Sequence, residues 1–533
     1  MLKRAFFCMA VLCLMAPSPL FSGPLGPATE QDIFDRLGDL HLSDVAIDLN
    51  VRVTVPDNPA AGLQGTELFA TVLRPATPAE PPYCDDRPFG RPTIVIATPY
   101  RREVMLMLYM SLLNHDYNIL SLDVRGSGSS GGEWLSFAPE EHYDLGYVID
   151  HFIPNQPWSD GTVGMIGPSY MAISQLLAAG QIESADGIPT HLKALFPMVP
   201  MSDTYRDIVM HGGNLDLEFI PMWLGMVDIM AAMPPLLFLG DDQVFKPTVD
   251  ELREATDIWE NHISNIPVTV NWILKKDNVD KNDFFDSKST MIYWADKPEG
   301  GWQFGEGYPA DLGTTVIPPK LPVFMTGGWF DIFTRGTLNT WEHGLKYHDR
   351  ADKSMIIGPW YHIDGSLGLG MNALANGDIA GRWFDWKIKG IDDPFMEDYP
   401  VLLYILGEER WRAETSWPLP ETRTEPQTLF LSKNKADALS GDWFGVMNSK
   451  NNYALVQSPE KKDYYNAFWF FKWFYKSKEN PVLKHRPLVL HGLLSRSSTR
   501  WLMGVPAIFS QASKALLDMN IDHLMPFEDE RLD

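Results

Sequence analysis

The chain has 533 residues, of which 45% are hydrophobic and 21% charged, a composition that can bury a large core over roughly two to four domains and excludes a disordered or fibrous protein. Its 44 basic and 69 acidic residues leave a net charge of -25, which repels polyanions and argues against nucleic acid as a partner. The acid is spread along the chain rather than gathered in one run, as on a solvated surface.

The start, MLKR followed by AFFCMAVLCLMA, is a short positive stretch leading into about a dozen apolar residues and matches a signal peptide better than a membrane span. Residues 1–28 are expected to be removed, with the cut after Ala28 or near Ser22, leaving a secreted or periplasmic chain with no membrane span. Cys8 and Cys13 lie in that segment, so the mature chain keeps Cys84 alone. No internal disulfide is then available, and the fold must rest on its core.

From Val51, VRVTVPD and TELFATVLRP alternate with period two around a glycine-containing turn and predict a hairpin. PTIVIATPY, YNILSLDVRG and GTVGMIGPSY are short apolar β-rich runs that end in polar turns and predict buried parallel strands. Between the last two, PEEHYDLGYVIDHFI has helical spacing with acids in its first turn. Strand, helix, strand in this order predicts the α/β class, a doubly wound sheet, whose first part spans 35–201.

From 202 to 317 the text becomes rich in Met, Trp and Asp with helical spacing, as in FIPMWLGMVDIMAAMPPLLFL, and predicts a helical cap over the active edge of the sheet. Its methionine and tryptophan stripes are either core packing or a substrate wall. The sheet resumes over 318–393 with KLPVFMTGGWFD and KSMIIGPWYH. From 394 to 533 the strands shorten, as in PVLLYIL and TLFLSK, and a separate β-rich domain is expected. Within it YYNAFWFFKWFYK is too short and too interrupted by lysine to span a bilayer. It packs on the main domain or forms a surface or homo-oligomer contact.

The chemistry centres on VGMIGPSYMAISQ, where a strand runs into Gly167 and a helix begins after Ser169. Such a strand-to-helix turn holds a serine oxygen clear of the backbone and puts amides at a helix N-terminus, where they stabilise a developing oxyanion. The pattern G-x-S-x-G fails at its last place, where Met171 stands and Ala172 follows, so a helix start capped by Ser169 is the alternative. An activated serine needs a base and an orienting acid, in the chain order serine, acid, histidine. Asp331 and His362 each lie just past a strand end in that order, although Asp331 could instead cap the stretch from Ile332 to Trp341.

Among competing bases, His142, His343 and His348 fall in helical, surface-like text and His211 in the cap. No HExxH or paired Cys/His spacing suggests a metal, and the DVRGSGSSGGEW glycines fit no phosphate loop. They more simply shape a turn beside the site. No cofactor is required.

The blocks TPYRRE, DVRGSGSSGGEW, QPWSDGTVGMIGPSYMAISQ, SDTYRD with a later HGG, GGWFDIFTRGTLN, IIGPWYH, RWFDWKIKGID and GEERWR, in that order, resemble the CocE/NonD hydrolases. That group includes X-prolyl dipeptidyl peptidases, cocaine esterase, α-amino acid ester hydrolases and glutaryl cephalosporin acylases. The resemblance runs from about Val51 to Pro420 and implies an α/β-hydrolase fold. It implies Ser169 as nucleophile, Asp331 as orienting acid and His362 as base, with the Tyr100 hydroxyl and the Tyr170 amide forming the oxyanion hole. Tyr100 packing at a strand end is the structural alternative. The implied substrates are small acyl esters or amides, or short peptides. Asp203 is a candidate for a substrate ammonium, with helix capping as its alternative. Where the family carries a full jelly-roll sandwich, only about 115 residues follow Trp417, so a shortened jelly-roll-like domain is expected.

Overall fold

In this computed structural model the described residues are 45–76, 90–211, 213–216, 219–236, 248–274, 283–294, 316–362, 378–393, 396–406, 408 and 410–424. The expected signal peptide, Cys84 and the C-terminal residues from 425 on lie outside them.

The apolar runs become strands where expected. β1 (Val45–Val55) and β2 (Thr66–Pro75) form the antiparallel hairpin. Every residue of β3 (Arg91–Thr98) and β4 (Asn118–Asp123) is buried, which is why these strands read as continuous rather than alternating apolar text. β5 (Ser159–Pro168), β6 (Leu192–Met198), β7 (Val323–Gly328) and β8 (Lys353–Gly358) add in parallel. With β9 (Val401–Ile405) and β10 (Arg410–Glu414) the ten-stranded sheet runs β1-β2-β4-β3-β5-β6-β7-β8-β9-β10. The chain steps one way from β3 to β4 and the other way to β5, so the carboxyl ends of β3 and β5 flank a switch point, where α/β sheets bind ligands.

α1 (Pro139–Tyr147) starts with proline at its first position and Glu140 and Glu141 in its first turn, as its capping chemistry predicts. A wider π-type turn, Val148–Phe152, continues it. α2 (Tyr170–Ala178) is buried along its whole length between strands and neighbouring helices.

In the 202–317 stretch the described residues are mainly helical. α3 (Phe219–Ala231) precedes α4 (Val249–Leu274), whose start is a reciprocal cap: the Thr248 amide donates to Glu251 at 2.6 Å and the Glu251 amide to the Thr248 hydroxyl at 3.2 Å. α4 lies over the loop after β4. Asn261 donates to the Gly132 carbonyl at 3.1 Å, His262 pairs with the Ser130 carbonyl at 2.9 Å, and Asn265 donates to the Trp134 carbonyl at 3.2 Å. α5 (Thr334–Asn339) and α6 (Asp378–Lys387) complete the helices used below. Among the described residues no helix is long and apolar enough to cross a membrane.

The structure corrects the boundary expected at 394. VLLYI pairs in parallel with β8, Met355 opposite Val401, and β10 returns antiparallel to it, so both belong to the main sheet. The compact unit that holds the sheet runs on through Trp417, and a second unit begins at Pro418. A five-residue apolar run does not reveal which sheet it joins, because that depends on register with a strand about 45 residues away.

One buried ion pair ties this framework to the loops above it. Arg102, 1% exposed, pairs with Asp123, 0% exposed. The same carboxylate accepts from the Arg102 amide at 2.8 Å and the Ser129 amide at 2.9 Å, while the guanidinium also donates to Thr71 of β2 at 3.2 Å. Gly128, with φ 57°, passes so close that any Cβ there would strike the Asp123 carboxylate. Removing one partner of such a pair leaves the other charged and dry. Asp123→Ala is therefore expected to lower unfolding stability by about 3–5 kcal/mol in a urea titration; a change below about 1 kcal/mol would show that the pair does not hold the loop.

Candidate active site

Ser169 is the last residue tied to the sheet and the first to feed the helix. Its amide donates to the Met198 carbonyl of β6 at 2.9 Å, and its own carbonyl accepts from the Ala172 and Ile173 amides, both at 3.0 Å. Meeting both demands forces φ 55° and ψ −117°, a conformation non-glycine residues avoid. Gly167, at φ 150°, has no room for a Cβ against Met171. Gln175 braces the turn from within α2, donating to the Gly167 and Met171 carbonyls at 3.3 and 2.9 Å and accepting from the Phe196 amide at 3.1 Å. The structure provides no side-chain cap from Ser169, so its hydroxyl faces outward rather than into the helix.

Asp331 sits three residues past β7, its turn held by Trp329 and Phe330 amides that donate to the Gly358 and Trp360 carbonyls at 2.9 and 3.1 Å. One carboxylate oxygen accepts from the Phe333 amide at 2.5 Å, and the other lies 2.6 Å from His362 Nδ1. Both readings of Asp331 thus describe part of it: one oxygen steadies the local turn and the other holds the imidazole. His362 follows β8, and its Nε2 lies 2.8 Å from Ser169 Oγ. The Phe333 ring meets the imidazole edge-on at 5.0 Å. An ionised carboxylate only accepts, so Nδ1 carries the proton and Nε2 presents its lone pair to the serine hydroxyl. Asp331 and His362 are 6% and 2% exposed, which keeps water from competing for these hydrogen bonds.

Tyr100 follows β3 and is buried, and its amide donates to Thr98 Oγ1 at 2.9 Å. Its hydroxyl accepts from the Trp223 indole at 2.8 Å and also pairs with the Ser169 hydroxyl. An indole N–H can only donate, so the single Tyr100 proton is left to point towards Ser169. Burial holds the phenol well above its ordinary pKa, keeping it a donor. Tyr170 opens α2, and an amide at the first helical position has no intrahelical partner. Of the two donors expected of an oxyanion hole, the Tyr100 hydroxyl thus pairs with the Ser169 hydroxyl and the Tyr170 amide follows Ser169 at the start of α2.

Trp223 was hidden in a stripe of Met and Trp whose spacing reads as packing. It also lines a largely apolar cavity with Phe137, Ile208, Ile220, Phe285 and Lys288. Phe137 stacks on the Tyr170 ring with centroids 4.1 Å apart and Trp223 donates to the Tyr100 hydroxyl, so two of the lining residues touch Tyr170 and Tyr100.

The structure gives Asp203 a different job from substrate recognition. It is 0% exposed, caps the turn Thr204–Val209 by accepting from the Arg206 amide at 3.0 Å, and pairs with the Arg206 guanidinium at 3.1 Å. The competing histidines are held elsewhere. His142 and His348, expected at the surface, are buried. The ring of His142 lies between the Tyr293 hydroxyl and the Phe137 carbonyl, both at 2.9 Å, and His211 pairs with the Asp207 carbonyl at 2.8 Å. Among the described residues no group of three or more His, Cys, Asp or Glu side chains is placed to hold a metal ion.

Against this geometry, residues 64–364 match the family model described as X-Pro dipeptidyl-peptidase (S15 family). The chain is 24% identical over 364 residues to cocaine esterase of a Rhodococcus species, covering 63% of this chain and 57% of that one. It is 23% identical over 366 residues to a putative serine esterase of Mycobacterium bovis, covering 65% and 55%. The matches thus span little more than half the length of these relatives. Similar solved structures include an α-amino acid ester hydrolase, 16% identical over 75% of this chain and 62% of that one with a TM-score of 0.47. A CocE/NonD family hydrolase from Staphylococcus aureus is 17% identical over 71% and 57%, with a TM-score of 0.44.

Burial lowers the His142 pKa to about 3. An unfolded histidine binds a proton near pH 6.5, so stability due to this group is full above that value and falls as pH drops from there towards 3. In a nitrogen-detected NMR titration of the folded protein, the His142 ring should stay neutral down to about pH 4. A midpoint near 6.5 would place that ring in water and return it to the set of available bases.

Proposed function

The chain belongs to the X-Pro dipeptidyl-peptidase (S15) family, and within it we propose that the chain is a serine hydrolase that cleaves ester or amide bonds of small acyl substrates through a Ser169 acyl-enzyme. The observation that carries this is the unbroken line from Asp331 through His362 to Ser169, with contacts of 2.6 and 2.8 Å. Ser169 Oγ forms a bond to the acyl carbon as its proton passes to His362 Nε2. The carbonyl pair moves onto oxygen, where the Tyr100 hydroxyl and Tyr170 amide receive the charge. The tetrahedral species collapses, the leaving group departs with the proton from Nε2, and Asp331 stabilises the imidazolium throughout. Water, deprotonated by the same nitrogen, then attacks the acyl carbon and frees Ser169.

Two readings of the substrate share this chemistry. The family description favours an X-prolyl dipeptide, whose terminal ammonium needs an acidic partner. The apolar cavity walled by Phe137 and Trp223, which touch Tyr170 and Tyr100, favours an acyl ester. Its charged lining residue among those described is Lys288, a cation, and the carboxylate of Asp203 is engaged as a cap. We place the chain with the acyl esterases on that ground. Export is part of the proposal and is supported by the MLKR start and the apolar segment behind it.

Purified chain should turn over p-nitrophenyl esters faster than an X-Pro anilide, and Ser169→Ala should lower kcat by roughly 10⁴-fold or more. Tyr100→Phe should cost about 100-fold in kcat with little change in KM. A Ser169→Ala protein as active as the parent would overturn the mechanism, and a preference for the anilide would overturn the substrate class.

A further inference from the structure

Tyr170 has two ends with different tasks: its amide opens α2 directly after Ser169, and its phenol lies in the interior, the residue being 1% exposed. The phenol oxygen accepts from Trp134 Nε1 at 3.0 Å and from the Phe137 amide at 3.3 Å, and the hydroxyl donates to Glu141 Oε2 of α1 at 2.6 Å. With two donors on its oxygen, the single phenolic proton can go only to Glu141. We propose that Glu141 is a positioning residue which, through the Tyr170 phenol, fixes the direction of the Tyr170 backbone N–H in the oxyanion hole. The proposal rests on the serine hydrolase reading above.

The geometric reason lies in the turn itself. The ψ angle of Ser169 sets the plane of the peptide that carries the Tyr170 N–H, and at −117° with φ 55° that residue is strained. Strain of this kind relaxes by rotating the peptide, which would swing the N–H away from the oxyanion. Pinning the side chain of the next residue opposes that rotation. A second tie comes from Ser174, whose hydroxyl donates to the Tyr170 carbonyl at 3.0 Å and lies 3.5 Å from Glu141 Oε1.

Glu141 is poorly suited to a purely structural role. It is 2% exposed, and the cation that acts on it, Lys288, gives its hydrogen bonds to the Leu135 and Ser136 carbonyls at 2.6 and 3.1 Å. Its short partner is a neutral phenol. Burial, the largest influence, lifts its pKa to about 7; the Tyr170 hydrogen bond, Lys288 and the Phe137 backbone pull it down, and Asp144 pushes it further up. A folded pKa above the unfolded value of 4.5 means that this group favours folding below that pH and loses the contribution as pH rises to about 7. The ionised form, the stronger acceptor for Tyr170, is thus held against stability. Protonation weakens the anchor, because a neutral carboxyl oxygen is a poorer acceptor for the Tyr170 hydroxyl than a carboxylate oxygen.

The test uses the full chain with Glu141→Gln, Tyr170→Phe and the double variant. Each single variant should lose about tenfold in kcat on a p-nitrophenyl ester with KM within about twofold. The double variant should lose no more than either alone, as expected for two members of one relay. Glu141→Gln should melt no lower than the parent at pH 8, and its kcat should fall less steeply at acid pH, since no carboxylate remains at this position to take up a proton. If Glu141→Gln does not fold, Tyr170→Phe, which keeps the ring, reads the same loss. Single variants with parental kcat, or losses that multiply in the double variant, would overturn the positioning role while leaving the hydrolase reading intact. A parent chain inert towards esters would overturn both.

Discussion

Ser169 is asked to end a strand and begin a helix within one residue. Its amide closes the sheet against Met198, its carbonyl opens α2, and the backbone between them is driven into a conformation that L-residues avoid. That constraint lifts the hydroxyl off the turn, and the neighbouring parts are arranged around where it lands. Gly167 leaves the space, Gln175 locks the turn from below, and the Tyr170 phenol is moored to Glu141 and Trp134 behind it.

The other groups arrive on separate strand ends. Tyr100 comes from β3, Asp331 from β7 and His362 from β8, so parallel strands bring to one rim residues scattered over more than 260 positions. A packed sheet moves little, and the spacing of these groups is therefore set before any substrate arrives. The layer beneath the rim is unusually rich in buried charge. Arg102 with Asp123 and Arg125 with Asp144 fix the loop that delivers Trp134 to Tyr170, and Lys288 closes the neighbouring segment onto its carbonyls. Pairs of this kind add little net stability but define one geometry. At this site, one geometry is what the proposed oxyanion hole needs.

Much of this could be read from the letters, and the failures have physical causes. Short apolar runs bounded by polar turns mark β3, β4, β5, β7 and β8 but leave out β6, and strand-end positions in the order serine, acid, histidine mark the three residues that the structure brings together. Both cues are local. β9 was assigned to the wrong domain because five apolar residues carry no sign of their partner. The mixed helical text around His142 reads as surface, whereas its burial goes with the Tyr293 hydroxyl from the 290–293 turn that meets its ring. Trp223 and Glu141 carry no such cue in the sequence: each contacts a residue 29 or more positions away, and no spacing rule reaches that far. Asp203 was legible in both of its readings, and the amide of Arg206 three residues later decided for the cap.

The central claim is that His362 and Asp331 make one serine hydroxyl, and no other, strongly nucleophilic. Treating the folded chain with a fluorophosphonate and mapping the adduct by peptide mass spectrometry tests it most directly. The account predicts one phosphonyl group per chain, on Ser169, formed far more slowly once His362 is replaced by alanine. A folded chain that stays unlabelled, or an adduct on another residue, would contradict it.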